Sequence, residues 1–135
     1  MGFEVFVSWY EKGAPAPIQF GAVHGAFGLA AAPPEPKGFH VRYGPADDSY
    51  VYATPRADGT LTDIMIERPC GAPALWDAIV AIMRLGNGLC CWPGDKCAVA
   101  SVSAMDHLPD DAGEGLGEPQ LVADGAALAQ LVRSS

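Results

Sequence analysis

Between Phe39 and Glu67 three short runs carry strand patterns, and the gaps between them have room only for turns. Phe39-His40-Val41-Arg42-Tyr43 alternates apolar and polar residues, and Gly44-Pro45-Ala46-Asp47-Asp48 turns the chain. Ser49-Tyr50-Val51-Tyr52-Ala53 is β-branched and aromatic, Ala57-Asp58-Gly59 is a hairpin signal, and Leu61-Thr62-Asp63-Ile64-Met65-Ile66-Glu67 completes the meander. Parallel neighbours need a crossover of a dozen or more residues, so these three strands must be antiparallel. Residues 72 to 85 then change period. Leu75, Trp76, Ile79, Ile82 and Met83 form a wide stripe at helical spacing, with Pro73 in the first turn and Arg84 near the last. A meander followed by a strongly amphipathic helix points to the α+β class: a largely antiparallel sheet with helices mainly on one face.

The flanking segments extend this pattern. In residues 3 to 10, Phe3, Val5, Val7 and Trp9 line one strand face; Glu4, Phe6, Ser8 and Tyr10 line the other, which is amphipathic and not simply wet. Ala14-Pro15-Ala16-Pro17 is expected to break the ladder and lead into a helix over residues 17 to 28, where Phe20, Val23, His24 and Phe27 recur at helical spacing. Residues 29 to 37 are a proline-rich loop. Leu89-Cys90-Cys91-Trp92 reads as a buried strand stopped by Pro93-Gly94, and its return from the preceding helix leaves room for a parallel neighbour. Lys96 to Ala100 is extended, Ser101 caps a short helix, Gln120 to Ala123 is a last strand, and Asp124 caps a terminal helix with Ala127, Leu128, Leu131 and Val132 inward. The expected order is β-α-β-β-β-α-β-α-β-α, in a single domain of 135 residues.

Charge narrows the partners. Eight basic residues against sixteen acidic ones give a net charge of -8. Nucleic acids and anionic membranes attract basic faces, so neither is an expected partner, and cationic surfaces are favoured instead. The first residues carry Glu4 and no basic cluster, and no apolar run approaches the ~18 residues that span a bilayer. Cytoplasmic residence is the resulting expectation.

Chemistry-bearing residues are sparse. Cys70 lies in Arg68-Pro69-Cys70-Gly71 just before a helix start, where a thiol's pKa is lowered. With a histidine base it would make a thiol-dependent hydrolase or transferase, but His24, His40 and His107 are all distant in sequence. Cys90 or Cys91 with Cys97 and His107 lacks the paired spacing of structural zinc sites, and buried thiols are the expectation. His24, beside an apolar stripe, reads as a satisfied, half-buried histidine. Asp47-Asp48 and Asp110-Asp111 sit in turn-like sequence without the apolar surroundings that tune a general acid. No phosphate-binding loop, nucleophile elbow or zinc-protease motif occurs. No catalytic residue, metal or cofactor is expected.

The most one-sided stretch runs from Asp106 to Glu118, with no Lys or Arg. As a partner-binding patch it would use Asp106, Asp110, Asp111, Glu114 and Glu118, with Asp95 beside it and Trp92 as an aromatic anchor if exposed. Several segments also carry a resemblance: Gly2-Phe3-Glu4-Val5, the turn-like Gly13-Ala14-Pro15, the helix end Phe27-Gly28, Glu67-Arg68-Pro69-Cys70-Gly71 before Leu75-Trp76-Asp77-Ala78, Met83-Arg84-Leu85-Gly86-Asn87, Trp92-Pro93-Gly94 and His107-Leu108-Pro109. Together they resemble small bacterial proteins, some of them immunity proteins of polymorphic or secretion-delivered toxins. The resemblance implies a non-enzymatic role: binding a cognate toxin in the producing cell and occluding its active site. It carries over no binding residue. The alternatives are the Cys70-dependent enzyme and a homodimeric regulatory module that buries Trp92 or the outer face of the first strand.

Overall fold

The computed structural model describes residues 3–94, 96–109 and 118–134. Strand β1 (Glu4–Glu11) lies inside the sheet. Its turn at Lys12 and Gly13 puts both residues at positive φ, 51° and 83°, as a two-residue hairpin loop requires. That turn overturns the expected break at Ala14-Pro15. β2 (Ala14–Pro15) folds back on β1, pairing Glu11 with Ala14 and Tyr10 with Pro15, and the Ala16 N–H donates to the Trp9 carbonyl. Pro15 is tolerated because β2 has β1 on one side only. β3 (Ile18–Gln19) follows, so helix α1 (Phe20–Ala26) starts three residues later than the proline signal suggests.

The meander forms as expected. β4 (Gly38–Gly44) pairs antiparallel with β5 (Asp47–Tyr52), and β5 with β7 (Asp63–Glu67). Between them β6 (Thr60–Leu61) leaves the main sheet to pair with β3. Helix α2 (Pro73–Met83) has Pro73 in its first turn. It leads into β8 (Gly88–Trp92), which pairs antiparallel with β1 on the side away from β7. The neighbour is therefore antiparallel, not parallel, because α2 carries the chain past β1 before it returns. β9 (Lys96–Val99) completes a hairpin with β8, and the short helix α3 (Val102–Met105) follows, capped by the Ser101 hydroxyl. The parallel pair lies at the sheet edge, between β9 and β10 (Gln120–Leu121). Asp124 caps helix α4 (Gly125–Arg133) by accepting the Ala127 N–H at 2.9 Å. The strand order is β10-β9-β8-β1-β7-β5-β4, an α+β sheet that is antiparallel except at β9–β10.

Burial assigns the faces. Val5, Val7 and Trp9 of β1 join Ile64, Ile66, Val51, Phe39 and Val41 against α1, α2 and α4 in the main core. The Trp9 indole N–H donates to the Ile82 carbonyl at 2.8 Å, tying β1 to the last turn of α2. On the opposite face a smaller cluster of Leu89, Cys97, Val99 and Ala104 sits under α3 at the β8–β9 end only. The rest of that face carries no helix among the described residues. Gly125 lets α4 close on α2: a Cβ there would lie 2.6 Å from the Trp76 carbonyl carbon and closer still to the Asp77 backbone nitrogen. Gly125→Ala is expected to lower stability by about 1–3 kcal/mol through overpacking, read as a lower urea midpoint with an unchanged m-value.

Candidate functional site

Two surfaces compete for function. The first is a cleft of about 470 Å³ lined by Phe3, Cys70, Trp76, Trp92, Val132 and Arg133, with the neighbouring prolines and Gly71. Its rim is the turn before α2. Ser49 Oγ donates to the Arg68 carbonyl at 2.8 Å and accepts the Cys70 N–H at 3.0 Å, and the Trp76 indole N–H donates to the Cys70 carbonyl at 3.0 Å. Arg68 sits at φ 50°, a left-handed position held by those bonds. The Cys70 thiol thus has an ordered, aromatic setting, but no histidine lines the cleft. The ionisable group that feels the thiol is Tyr43, whose phenol is pushed up to about 12, first by burial and then by Cys70. A phenol held protonated at neutral pH can donate a proton but not abstract one.

The histidines have other partners. His24 Nε2 contacts the Ala32 carbonyl at 2.8 Å, and its ring packs edge-on against Phe39. This agrees with the satisfied, half-buried role expected for it. His107 Nδ1 accepts the Lys12 N–H at 3.1 Å and its carbonyl takes the Gly13 N–H, so the imidazole steadies the β1–β2 turn. Cys90 points into the main core, while Cys91 and Cys97 are register partners on the opposite face. Burial raises all three thiols, Cys91 to about 12. Among the described residues no three His, Cys, Asp or Glu side chains converge to hold a metal.

The second surface is the uncovered sheet face. Register places Phe6 beside Met65 and Met65 beside Tyr52, a cross-strand row over β1, β7 and β5. Phe6 is 46% exposed and Tyr52 36%. The adjacent row runs Glu4, Glu67, Tyr50, His40. Its rings touch edge to face, with centroids 4.6 Å apart for His40–Tyr50 and 4.8 Å for Tyr50–Tyr52. Both hydroxyls are anchored: Tyr50 donates to Glu35 at 3.0 Å and Tyr52 to Glu67 at 2.9 Å. The Glu67 bond leads in raising the Tyr52 phenol; for Tyr50 desolvation leads and the Glu35 bond follows. A shallow hollow of about 690 Å³ adjoins the apolar row, where Lys37, Arg56 and Asp63 surround Phe6, Tyr52 and Met65.

Of the residues singled out from the sequence as a partner patch, the three described ones, Trp92, Asp106 and Glu118, do not gather on this face. Trp92 is 5% exposed and belongs to the main core, because its β8 position points it inward beneath the helices. It is not the exposed anchor proposed for it, though it helps wall the Cys70 cleft. Asp106 ends α3 and Glu118 precedes β10; both are exposed, at the opposite end of the strand order from β5 and β4. Asp95, Asp110, Asp111 and Glu114 lie outside the described residues. The aromatic row was signalled only by the non-wet outer side of β1 and by Tyr50 and Tyr52. Comparisons with protein families, curated proteins and solved structures find no match for this chain. Among the described residues no helix is long and apolar enough to cross a membrane.

The raised groups set an alkaline limit. Tyr43 and Cys91 are neutral when protonated, and each folded pKa, about 12, exceeds its ordinary value of 10.0 or 9.0. Their contribution is complete below the ordinary value and drains as pH rises toward 12. The Tyr43 hydroxyl is buried without a hydrogen-bond partner. Tyr43→Phe is therefore expected to hold or raise the unfolding midpoint at neutral pH and to flatten its decline between pH 10 and 12, as thermal melts across that range will show.

Proposed function

We propose that this protein is an immunity protein: it binds a cognate bacterial toxin in the producing cell and occludes its active site by coverage, without bond-making of its own. The open sheet face carries this proposal. Phe6, Met65 and Tyr52 offer a contiguous row of apolar and aromatic anchors, the residue types that dominate interface energetics. Around them stand the carboxylates of Glu4, Asp48, Asp63 and Glu67 together with Lys37, Arg42 and Arg56, while the whole chain carries a net charge of -8. A basic toxin surface would meet complementary potential, which speeds encounter and rejects acidic partners.

Co-expression with the toxin encoded beside it in the native host tests the proposal. The wild-type chain is expected to rescue growth and to co-purify with the toxin. Phe6→Ala and Tyr52→Ala are expected to weaken the complex by about 2 kcal/mol or more each if they act as central anchors. Cys70→Ala is expected to protect fully, and loss of protection in a folded Cys70→Ala variant would favour thiol chemistry instead. Absence of both capture and rescue by the wild type contradicts the proposal.

A further inference from the structure

We infer that the second row of the open face is a seat for an arginine side chain of the partner, stacked on Tyr50 and bridged between Glu4 and Glu67. The inference deepens the toxin-binding proposal by naming the chemistry the partner must present, and it rests on that proposal only for who supplies the arginine. Glu4 and Glu67 are direct cross-strand neighbours on β1 and β7. Like charges directly opposite each other destabilise a sheet pair, with Cβ atoms about 5 Å apart. Among the described residues neither carboxylate has a cation within salt-bridge reach, although Arg68 lines the hollow beside Glu67 and Tyr50. A cation bound between them would offset the like-charge juxtaposition that this register creates.

The aromatic side of the seat is held in place. Tyr50 lies between the His40 ring and the Tyr52 ring, and both phenol hydroxyls are tied to carboxylates, so the rings lose little freedom on binding. Tyr52 occupies only one oxygen of Glu67, which leaves the other to accept a donor. A planar guanidinium suits this arrangement better than an ammonium. It stacks on an aromatic face, and its fork of donors can reach two carboxylates at once. At the far corner Arg42 faces Asp48 across β4 and β5, whereas Glu4 and Glu67 are each other's register partners.

Titration calorimetry of the full chain with a short polyarginine peptide, and with a polylysine peptide of equal length, tests the seat without the toxin. Polyarginine is expected to bind several-fold tighter than polylysine. Glu4→Gln, Glu67→Gln and Tyr50→Ala are each expected to weaken polyarginine binding several-fold. The charge-matched changes Asp106→Asn and Glu118→Gln are expected to leave it within about twofold. Glu4→Gln is also expected to raise the melting temperature of the free protein, which separates relieved repulsion from misfolding. Equal binding of the two peptides, or equal weakening by Asp106→Asn and Glu118→Gln, overturns the inference and reduces the attraction to net charge. The two failures are distinguishable. A wild-type chain that takes polyarginine at the seat but neither captures nor blocks a toxin refutes the function and keeps the seat; a toxin complex indifferent to Glu67→Gln and Tyr50→Ala refutes the seat and keeps the function.

Discussion

Strand β1 is hydrogen-bonded on both sides, to β7 and β8, and its alternation divides the molecule. Val5, Val7 and Trp9 point into a core sealed by α2, and the Trp9–Ile82 hydrogen bond fixes the helix over the strand. A shift of one residue in register would expose that triplet and bury Glu4, so the core itself enforces the pairing. The same register places Phe6 beside Met65 and Glu4 beside Glu67 on the other face. The proposed binding surface is thus a consequence of how the core is locked.

Much of the fold was legible because local signals and burial agree. The meander from Phe39 to Glu67, the α2 stripe, and the caps at Ser101 and Asp124 all form where their residues call for them. The failures share a cause: they depend on partners distant in the chain. Ala14-Pro15 reads as a ladder breaker, yet Lys12 and Gly13, whose N–H groups are held by the distant His107, turn it back onto β1. The direction of β8 is decided by α2 crossing β1, which no local pattern records. Trp92 belongs to the core only through its inward register on β8. The acidic run from Asp106 dominates the linear sequence. By contrast, Glu4, Tyr50 and Glu67 come from three strands and meet only when the sheet assembles.

The two surfaces differ in chemical capacity. The Cys70 cleft holds a thiol among aromatic rings with Arg133 in its lining, but no histidine lines it to serve as a base. The sheet face holds rings, a thioether and carboxylates in rows that no helix among the described residues covers. Aromatic anchors ringed by charged side chains are the makings of recognition, and hydroxyls tied to Glu35 and Glu67 lower the ordering cost of contact.

Hydroxyl-radical footprinting of the free chain and of its complex with the toxin from the native host tests the central claim most directly, because Phe6, Tyr50, Tyr52 and Met65 are all readily oxidised when accessible. The account predicts that complex formation suppresses labelling at these four side chains, while Met105 and Leu121, exposed at the other end of the sheet, stay labelled. Unchanged labelling of the four, with protection appearing instead at Met105 and Leu121, would contradict it.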